Sequence, residues 1–274
     1  MTVSALRIHP AQLQRWILPW IVPIALIIVW EILADIGWIP VRILPAPSAI
    51  FWAGIQLAQS GELWSHLGIS AARAATGFFI GASLGLTFGF INGILPIAET
   101  LLDSSLQMLR NIPNLALIPL VILWFGIGEE AKIFLVMLGV FFPVYLNTFH
   151  GIRNIDPSLL EMGRVYGLNR LQLITNVILP GALPSILVGV RFSLGIAWIT
   201  LIVSETIATD SGLGYMAMNA REFMQTDIIV FSILLYALLG KLSDSIAKAL
   251  EFRLLQWHPN FQTGSKDTYP VAKV

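Results

Sequence analysis

The sequence predicts an all-α integral membrane protein with six transmembrane helices. Three observations carry the prediction. Of 274 residues, 56% are hydrophobic and only 12% charged, with mean hydropathy +0.78, which lies outside the range of soluble globular domains. Apolar runs near the ~20 residues needed to cross a bilayer recur along the chain. Lysines and arginines concentrate in alternate loops, as they do where those loops face the cytoplasm.

The six spans are expected at about residues 16–36, 72–95, 104–126, 131–150, 184–208 and 227–249, with ends uncertain by roughly 2–4 residues. The first follows Arg7 and Arg15 and resembles a secretory signal, but the apolar pattern resumes after Glu31 without a small-x-small cleavage site, so it reads as a retained span. Between spans one and two, Pro40, Pro45 and Pro47 mark a loop, and Ser48 is expected to cap an interfacial helix. Pro19, Pro23, Pro113, Pro119 and Pro143 predict kinks or loop ends, which makes the third span the least regular. Arg7 and Arg15, then Arg153, Arg164 and Arg170, then Arg253, Lys266 and Lys273 are placed inside, whereas the loop bearing Asp210, Arg221, Glu222 and Asp227 is net acidic. Six spans satisfy this pattern with both termini cytoplasmic. The expected organisation is a cytoplasmic segment 1–15, a single membrane domain 16–257 with a cytoplasmic loop at about 151–182, and a tail 258–274.

A formal net charge of zero, with a pI near 6.9, gives no field for nucleic acid. Without cysteine there is no disulfide, thiolate metal site or cysteine nucleophile. His66 and His150 are isolated in sequence and show no metal-ligand spacing. No catalytic triad or carboxylate dyad assembles by spacing, and the nine tryptophans suit interfacial anchoring.

Gly77, Gly81, Gly85, Gly89 and Gly93 place a glycine at every fourth position through span two. One smooth face results, against which another helix can approach closely. Packing within the chain is the simpler reading, with a subunit interface or moving seam as the alternative. Arg73, Arg110, Arg191 and Glu205 fall in or near spans, where a central charge costs at least ~2.5–3.5 kcal/mol. They either snorkel and pair structurally or, with Asn114, help line a polar route. Asn111, Asn147, Thr200, Ser204 and Thr206 could join that route, although hydrogen bonding between helices accounts for most such groups.

The most informative stretch is EMGRVYGLNRLQLITNVILP, residues 161–180, a charged insert between apolar spans. It reads as a helix with Glu161 near its start, a turn at Gly167, a second helix with Leu168, Leu171, Ile174 and Ile178 on one apolar side, and a stop at Leu179-Pro180. An ordered cytoplasmic hairpin of this kind suggests docking to another protein, or a hairpin lying on its own bundle.

This spacing resembles the EAA signature of ABC importer permeases: Glu-Ala-Ala, three residues, Gly, nine residues, Ile-x-Leu-Pro. Glu161, Gly167, Leu179 and Pro180 match, while Met162 and Gly163 replace the alanines and Val177 the isoleucine. The runs ILPAPSAI (43–50), SGELWSHL (60–67), 101–134, FFPVYLNTFHGIRNID (141–156) and SGLGYMAMNAREFMQTD (211–227) are similar to the sulfonate, taurine and nitrate branch, most of all to permeases of aliphatic sulfonate importers.

The resemblance implies a type I ABC importer permease fold with cytoplasmic coupling helices in a bacterial inner membrane. It implies a homodimer, two ATP-binding partner subunits and an external substrate-binding protein. Glu161, Met162, Gly163, Gly167, Leu179 and Pro180 would couple the ATPase to the spans. No Gly-x-x-x-x-Gly-Lys-Ser/Thr loop occurs in the chain, so no cofactor is expected of it and ATP would be bound by the partner. Aliphatic sulfonates are the expected cargo, with taurine, nitrate or another small substrate as alternatives. A stand-alone secondary transporter would need intramembrane coupling groups and repeated halves, and neither is evident. A membrane-embedded enzyme would need a constellation that is also absent.

Overall fold

The computed structural model describes residues 10–207 and 209–258, apart from the side chains of residues 10–17 and 19. Arg7, Lys266, Lys273 and most of the two expected terminal segments therefore lie outside the described residues, as does the side chain of Arg15. Within them every regular element is helical: α1 (Pro10–Asp35), α2 (Pro47–Ser60), α3 (Glu62–Ile94), α4 (Pro96–Arg110), a 3₁₀ turn at Asn114–Leu117, α5 (Ile118–Phe125), α6 (Glu129–Arg153), α7 (Pro157–Val165), α8 (Arg170–Leu173), a π turn at Ile174–Ile178, α9 (Leu179–Ile207), α10 (Leu213–Glu222) and α11 (Thr226–Leu254).

Among the described residues, α3, α6, the continuous stretch Arg170–Ile207 and α11 are long and apolar enough to cross a membrane. A fifth crossing is available if α4 and the Asn114–Phe125 stretch count as one span, although they meet at 83°. The span expected at 104–126, with a kink or loop end at Pro113, is thus a broken one. The physical cause is Pro113, whose backbone is extended (φ −62°, ψ 119°) and which has no N–H to continue the helix from Arg110. Expected span one coincides with α1.

The chain forms two compact units. One contains the described residues up to Trp64 together with Met216–Leu234, and the other contains Ser65–Tyr215 with the described residues from Leu235 onward. In the first unit, the carboxylate of Glu31 on α1 accepts from the N–H (3.0 Å) and hydroxyl (2.5 Å) of Ser48 at the start of α2. Ser48 was expected to cap this helix itself. Instead Ala46 occupies the cap position without a side-chain bond, and Glu31 supplies the acceptor from a neighbouring helix. An acidic residue at the end of an apolar span thereby has its partners. At Gly54 an added Cβ would press into the ring of Phe231, so the α2 and α11 segments of this unit meet without room for a side chain.

The second unit is built around α6. Its core holds Ala74, Ala82, Val136, Val140, Val144, Ala197 and Leu201, with Phe78, Leu86 and Trp198 packed against them. On one side the α3 glycines meet α6 directly. A Cβ on Gly77 would lie 2.6 Å from that of Val136, on Gly85 2.9 Å from that of Val144, on Gly89 2.7 Å from that of Thr148, and on Gly93 2.9 Å from that of Ile152. Gly81 meets the Met137 carbonyl and the Cβ of Val140. On the other side, Gly139 and Gly151 of α6 face Thr200 and Ser185 of α9, while Gly189 of α9 faces Asn147. Lipid removes the hydrophobic drive between helices, and close dispersion contact of this kind replaces it.

Candidate functional site

The hairpin between α6 and α9 is built from local capping. Asp156 is the N-cap of α7 and accepts from the Ser158 N–H at 2.9 Å; this bond holds its carboxyl below the usual carboxylate range. Glu161 therefore stands in the middle of α7, exposed, rather than near its start as the sequence suggested. At the far end Gly167 adopts φ +77°, its N–H donating to Arg164 O and the Leu168 N–H donating to Gly163 O, both at 3.0 Å. This is a Schellman stop, and it requires a residue that tolerates the left-handed region. α8 then begins with a capping box in which Asn169 and Gln172 bond reciprocally at 2.9 Å.

Two further expectations are corrected here. The second helix does not stop at Leu179-Pro180: α8, the π turn and α9 run on as one helix from Arg170 to Ile207. Proline is tolerated because the turn before it widens, with the Leu179 N–H donating to Ile174 O, five residues back. Nor do the four expected apolar residues share one packed side. Ile178 joins the cluster of Ile152, Ala182 and Ile186, whereas Leu171 is 70% exposed. Leu173, which the sequence reading passed over, turns inward on Gly163, where an added Cβ would meet its Cδ2 at 2.7 Å. Gly163 is buried. The replacement of an alanine by glycine at this point is explained by the space Leu173 takes.

The hairpin carries an exposed apolar face: Leu159, Met162, Val165 (86%), Tyr166 (80%) and Leu171. Contiguous exposed apolar surface beside charged groups marks a contact surface.

A second cluster lies at the other end of α9, all within the larger unit. Glu205 is fully buried and accepts from the Ser70 hydroxyl (2.8 Å), Arg73 Nη1 (2.8 Å) and the Gly214 N–H (3.0 Å). The guanidinium of Arg73, 3% exposed, also donates Nε and Nη2 to Glu129 at 2.5 Å each, Nη1 to the Ser211 carbonyl at 2.8 Å and Nη2 to the Ser211 hydroxyl at 2.9 Å. The Leu213 N–H donates to Ser70, and the Gly212 N–H donates to Nδ1 of His66. Gly212 stands at φ +108°, and a Cβ there would meet Arg73 Nη1 at 2.7 Å. The loop is thus shaped around the buried pair. Sequence reasoning named Arg73 and Glu205 but missed Ser70, Glu129, Ser211, Gly212 and Gly214; an acidic pair opening an apolar span was the available signal for Glu129.

The residues suggested for a polar route are not gathered in one place. Arg191 pairs with Asp244 (2.6 Å) and Glu251 (3.5 Å), fourteen residues and about 21 Å along the helix from Glu205. Asn114 lies beside Gly139, and Arg110 is exposed in the last turn of α4 with no ion-pair partner among the described residues.

Residues 77–256 match the model of a family described as binding-protein-dependent transport system inner membrane component. A relative in Escherichia coli strain K12, named as an aliphatic sulfonates transport permease, SsuC, is 58% identical over 90% of this chain and 95% of its own length. A protein named likewise in Bacillus subtilis strain 168 is 47% identical over 94% of each. The taurine transport system permease TauC of Escherichia coli is 36% identical, covering 86% of this chain and 88% of its own. Among solved structures, an amino acid ABC transporter chain aligns with TM-score 0.61 at 17% identity, over 72% of this chain and 96% of that one. A chain of the inward-facing MetNI methionine ABC transporter aligns with TM-score 0.51 at 20% identity, over 69% and 94%. At such identities the likeness is one of fold.

Proposed function

Because the chain belongs to the family of binding-protein-dependent transport system inner membrane components, we propose that it is the permease through which an ATP-driven importer moves aliphatic sulfonates across the cytoplasmic membrane. The cargo is supported by the 58% and 47% identity, over nearly full length, to proteins named for aliphatic sulfonates, against 36% for the taurine permease. The chain acts as a conduit and not as an enzyme. ATP is bound by two partner subunits, a binding protein delivers substrate from outside, and two copies of the chain form the pathway. Six spans, counting α1 and the broken pair, put both termini and the hairpin in the cytoplasm, in agreement with the arginine distribution.

The observation that carries the mechanism is the joining of an exposed apolar hairpin to one unbroken helix. Arg170–Ile207 has 38 residues, or about 57 Å, against a hydrocarbon core of about 30 Å. The cytoplasmic end of that helix is the second arm of the hairpin. A partner that grips Met162, Val165 and Tyr166 and moves on closing around ATP would move α9 as a rigid rod. Glu161, exposed in the middle of α7, offers the partner a polar contact, Gly167 sets the angle between the arms, and Leu179-Pro180 joins hairpin to span. The glycines of α3 hold that helix against α6, so that a displacement of α9 passes into the packed unit. Along the route, Arg110 and Asn114 keep free hydrogen-bonding capacity, whereas Arg191 and Glu205 serve first as members of ion pairs.

The test is a reconstituted importer with its ATPase and binding protein. Gly167→Val forces a β-branched residue to positive φ and should abolish sulfonate-stimulated ATP hydrolysis while leaving the chain inserted. Stimulation at the wild-type level would overturn the coupling role.

A further inference from the structure

The cluster around Arg73 contains one member unlike the rest. Arg73, Lys132 and Glu205 are buried, yet the side chain of Glu129 is 54% exposed. It lies at the wall of an open groove of about 380 Å³ lined by Ile69, Ala72, Arg73, Thr76, Ile133 and Ser211. Both of its oxygens sit on Arg73 in a bidentate fork, and one is 3.5 Å from Lys132 Nζ. Lys132, 5% exposed, has no closer partner among the described residues.

The charges of the set are Arg73 and Lys132 against Glu129 and Glu205, and they cancel. If Glu129 swings into the groove, one positive charge remains uncompensated beside two hydroxyls, those of Ser211 and Thr76. Such a groove suits a compact oxyanion: the planar fork of Arg73 recognises two oxygens at carboxylate spacing, and Lys132, buried beside Glu129 and outside the groove lining, adds its positive charge to the field there. Glu205, held by Ser70, Arg73 and the Gly214 N–H, keeps the guanidinium oriented when Glu129 leaves.

We propose that Glu129 is a displaceable stand-in for the oxyanion head of the cargo, and that Arg73 and Ser211, supported by the buried charge of Lys132, form a binding subsite for a sulfonate at this end of α3 and α6. The assignment rests on the sulfonate reading above. The carboxylate occupies the site when no anion is present, so that buried cations are never left unpaired, and an arriving sulfonate takes its two contacts on Arg73.

The experiment measures equilibrium binding of ethanesulfonate to the complete permease–ATPase complex in nanodiscs, without binding protein. Glu129→Gln should tighten binding at least about tenfold, the worth of one charge-assisted hydrogen bond that no longer has to be displaced. Adding Lys132→Gln to that variant should reverse the gain. Unchanged affinity in Glu129→Gln, or a gain that survives loss of Lys132, overturns the proposal. A second measurement does not depend on that variant folding. Thr76→Cys would be the chain's one thiol, and ethanesulfonate, but not ethanol, should slow its alkylation by a neutral maleimide; no protection overturns the proposal equally. Running both with inorganic sulfate separates the two readings. If the wild-type importer takes up no alkanesulfonate, the cargo assignment fails, while the subsite still stands or falls on its response to sulfate.

Discussion

Glu205 is tolerated inside a membrane protein because each of its oxygens is occupied: a hydroxyl, a guanidinium and a backbone N–H surround it. Removing one partner of a buried pair leaves the other charge uncompensated, at a cost of about 3–5 kcal/mol. Glu205→Ala should therefore lower the apparent melting temperature in detergent far more than Arg110→Ala, whose parent side chain is exposed. At Gly163 two effects oppose. Alanine is the better helix former by up to about 1 kcal/mol, but its Cβ would displace Leu173, at a cost of about 1–3 kcal/mol if Leu173 could not move. The blocking atom is the flexible end of a side chain, so Gly163→Ala is expected to be near neutral in ATPase coupling and Gly163→Leu to lose it. Asp156 sets a pH dependence. Its folded pKa is depressed by the Ser158 N–H, so its contribution is present above the ordinary carboxylate value of about 3.9 and is lost as pH falls below it. The protection of the Ser158 amide, measured relative to its intrinsic exchange rate at each pH, should fall on acidification through that range, and the fall should vanish in Asp156→Asn.

At the scale of the element, the π turn is the decisive feature. It lets a helix carry Pro180 without breaking, and it sets the rotational phase between the hairpin arm and α9. Deleting Thr175 would convert five π residues to a four-residue α turn and rotate everything upstream by about 100° relative to α9. The exposed face of Met162, Val165 and Tyr166 would then point elsewhere. Assembly with the ATPase, measured by copurification, should fail although α9 itself is intact. The α3 glycines are likewise a property of an element pair. Gly85→Val would drive a branched side chain into Val144 and the Phe141 carbonyl. Overpacking of this order costs about 1–3 kcal/mol, read as faster proteolysis of the detergent-solubilised chain.

For the whole molecule the question is which side each loop faces, and the absence of cysteine makes it directly measurable. A single cysteine at Asn169 should react with an impermeant maleimide only after the cells are opened, and one at Glu62, the first residue of α3, in intact cells. Labelling of Asn169→Cys from outside would invert the topology and detach the hairpin from any cytoplasmic ATPase. The broken α4–α5 stretch decides the count: cysteines at Leu101 and Leu123 should differ in accessibility if it crosses, and agree if it returns to the side it came from.

Composition and hydropathy are summed over many residues, and they were sufficient for the class of fold, the positions of most spans and the glycine face of α3. The hairpin spacing was legible for a similar reason: Gly167 is a local backbone requirement that no distant contact alters. Proline reads as a stop at Pro180 and as a kink or loop end at Pro113, yet it is accommodated at the first and breaks the helix at the second. The difference lies in whether a neighbouring turn can widen to take up the missing N–H, and local sequence does not show that. Ser48 and Glu161 were misread because caps depend on which acceptor is near in space: Glu31 reaches Ser48 from another helix, and Asp156 pre-empts Glu161. The ring of Ser70, Arg73, Glu129, Glu205 and Ser211 joins residues up to 138 positions apart. Charge pairing over that separation is a property of three packed helices and one glycine-shaped loop, and it came into view only once they were in place.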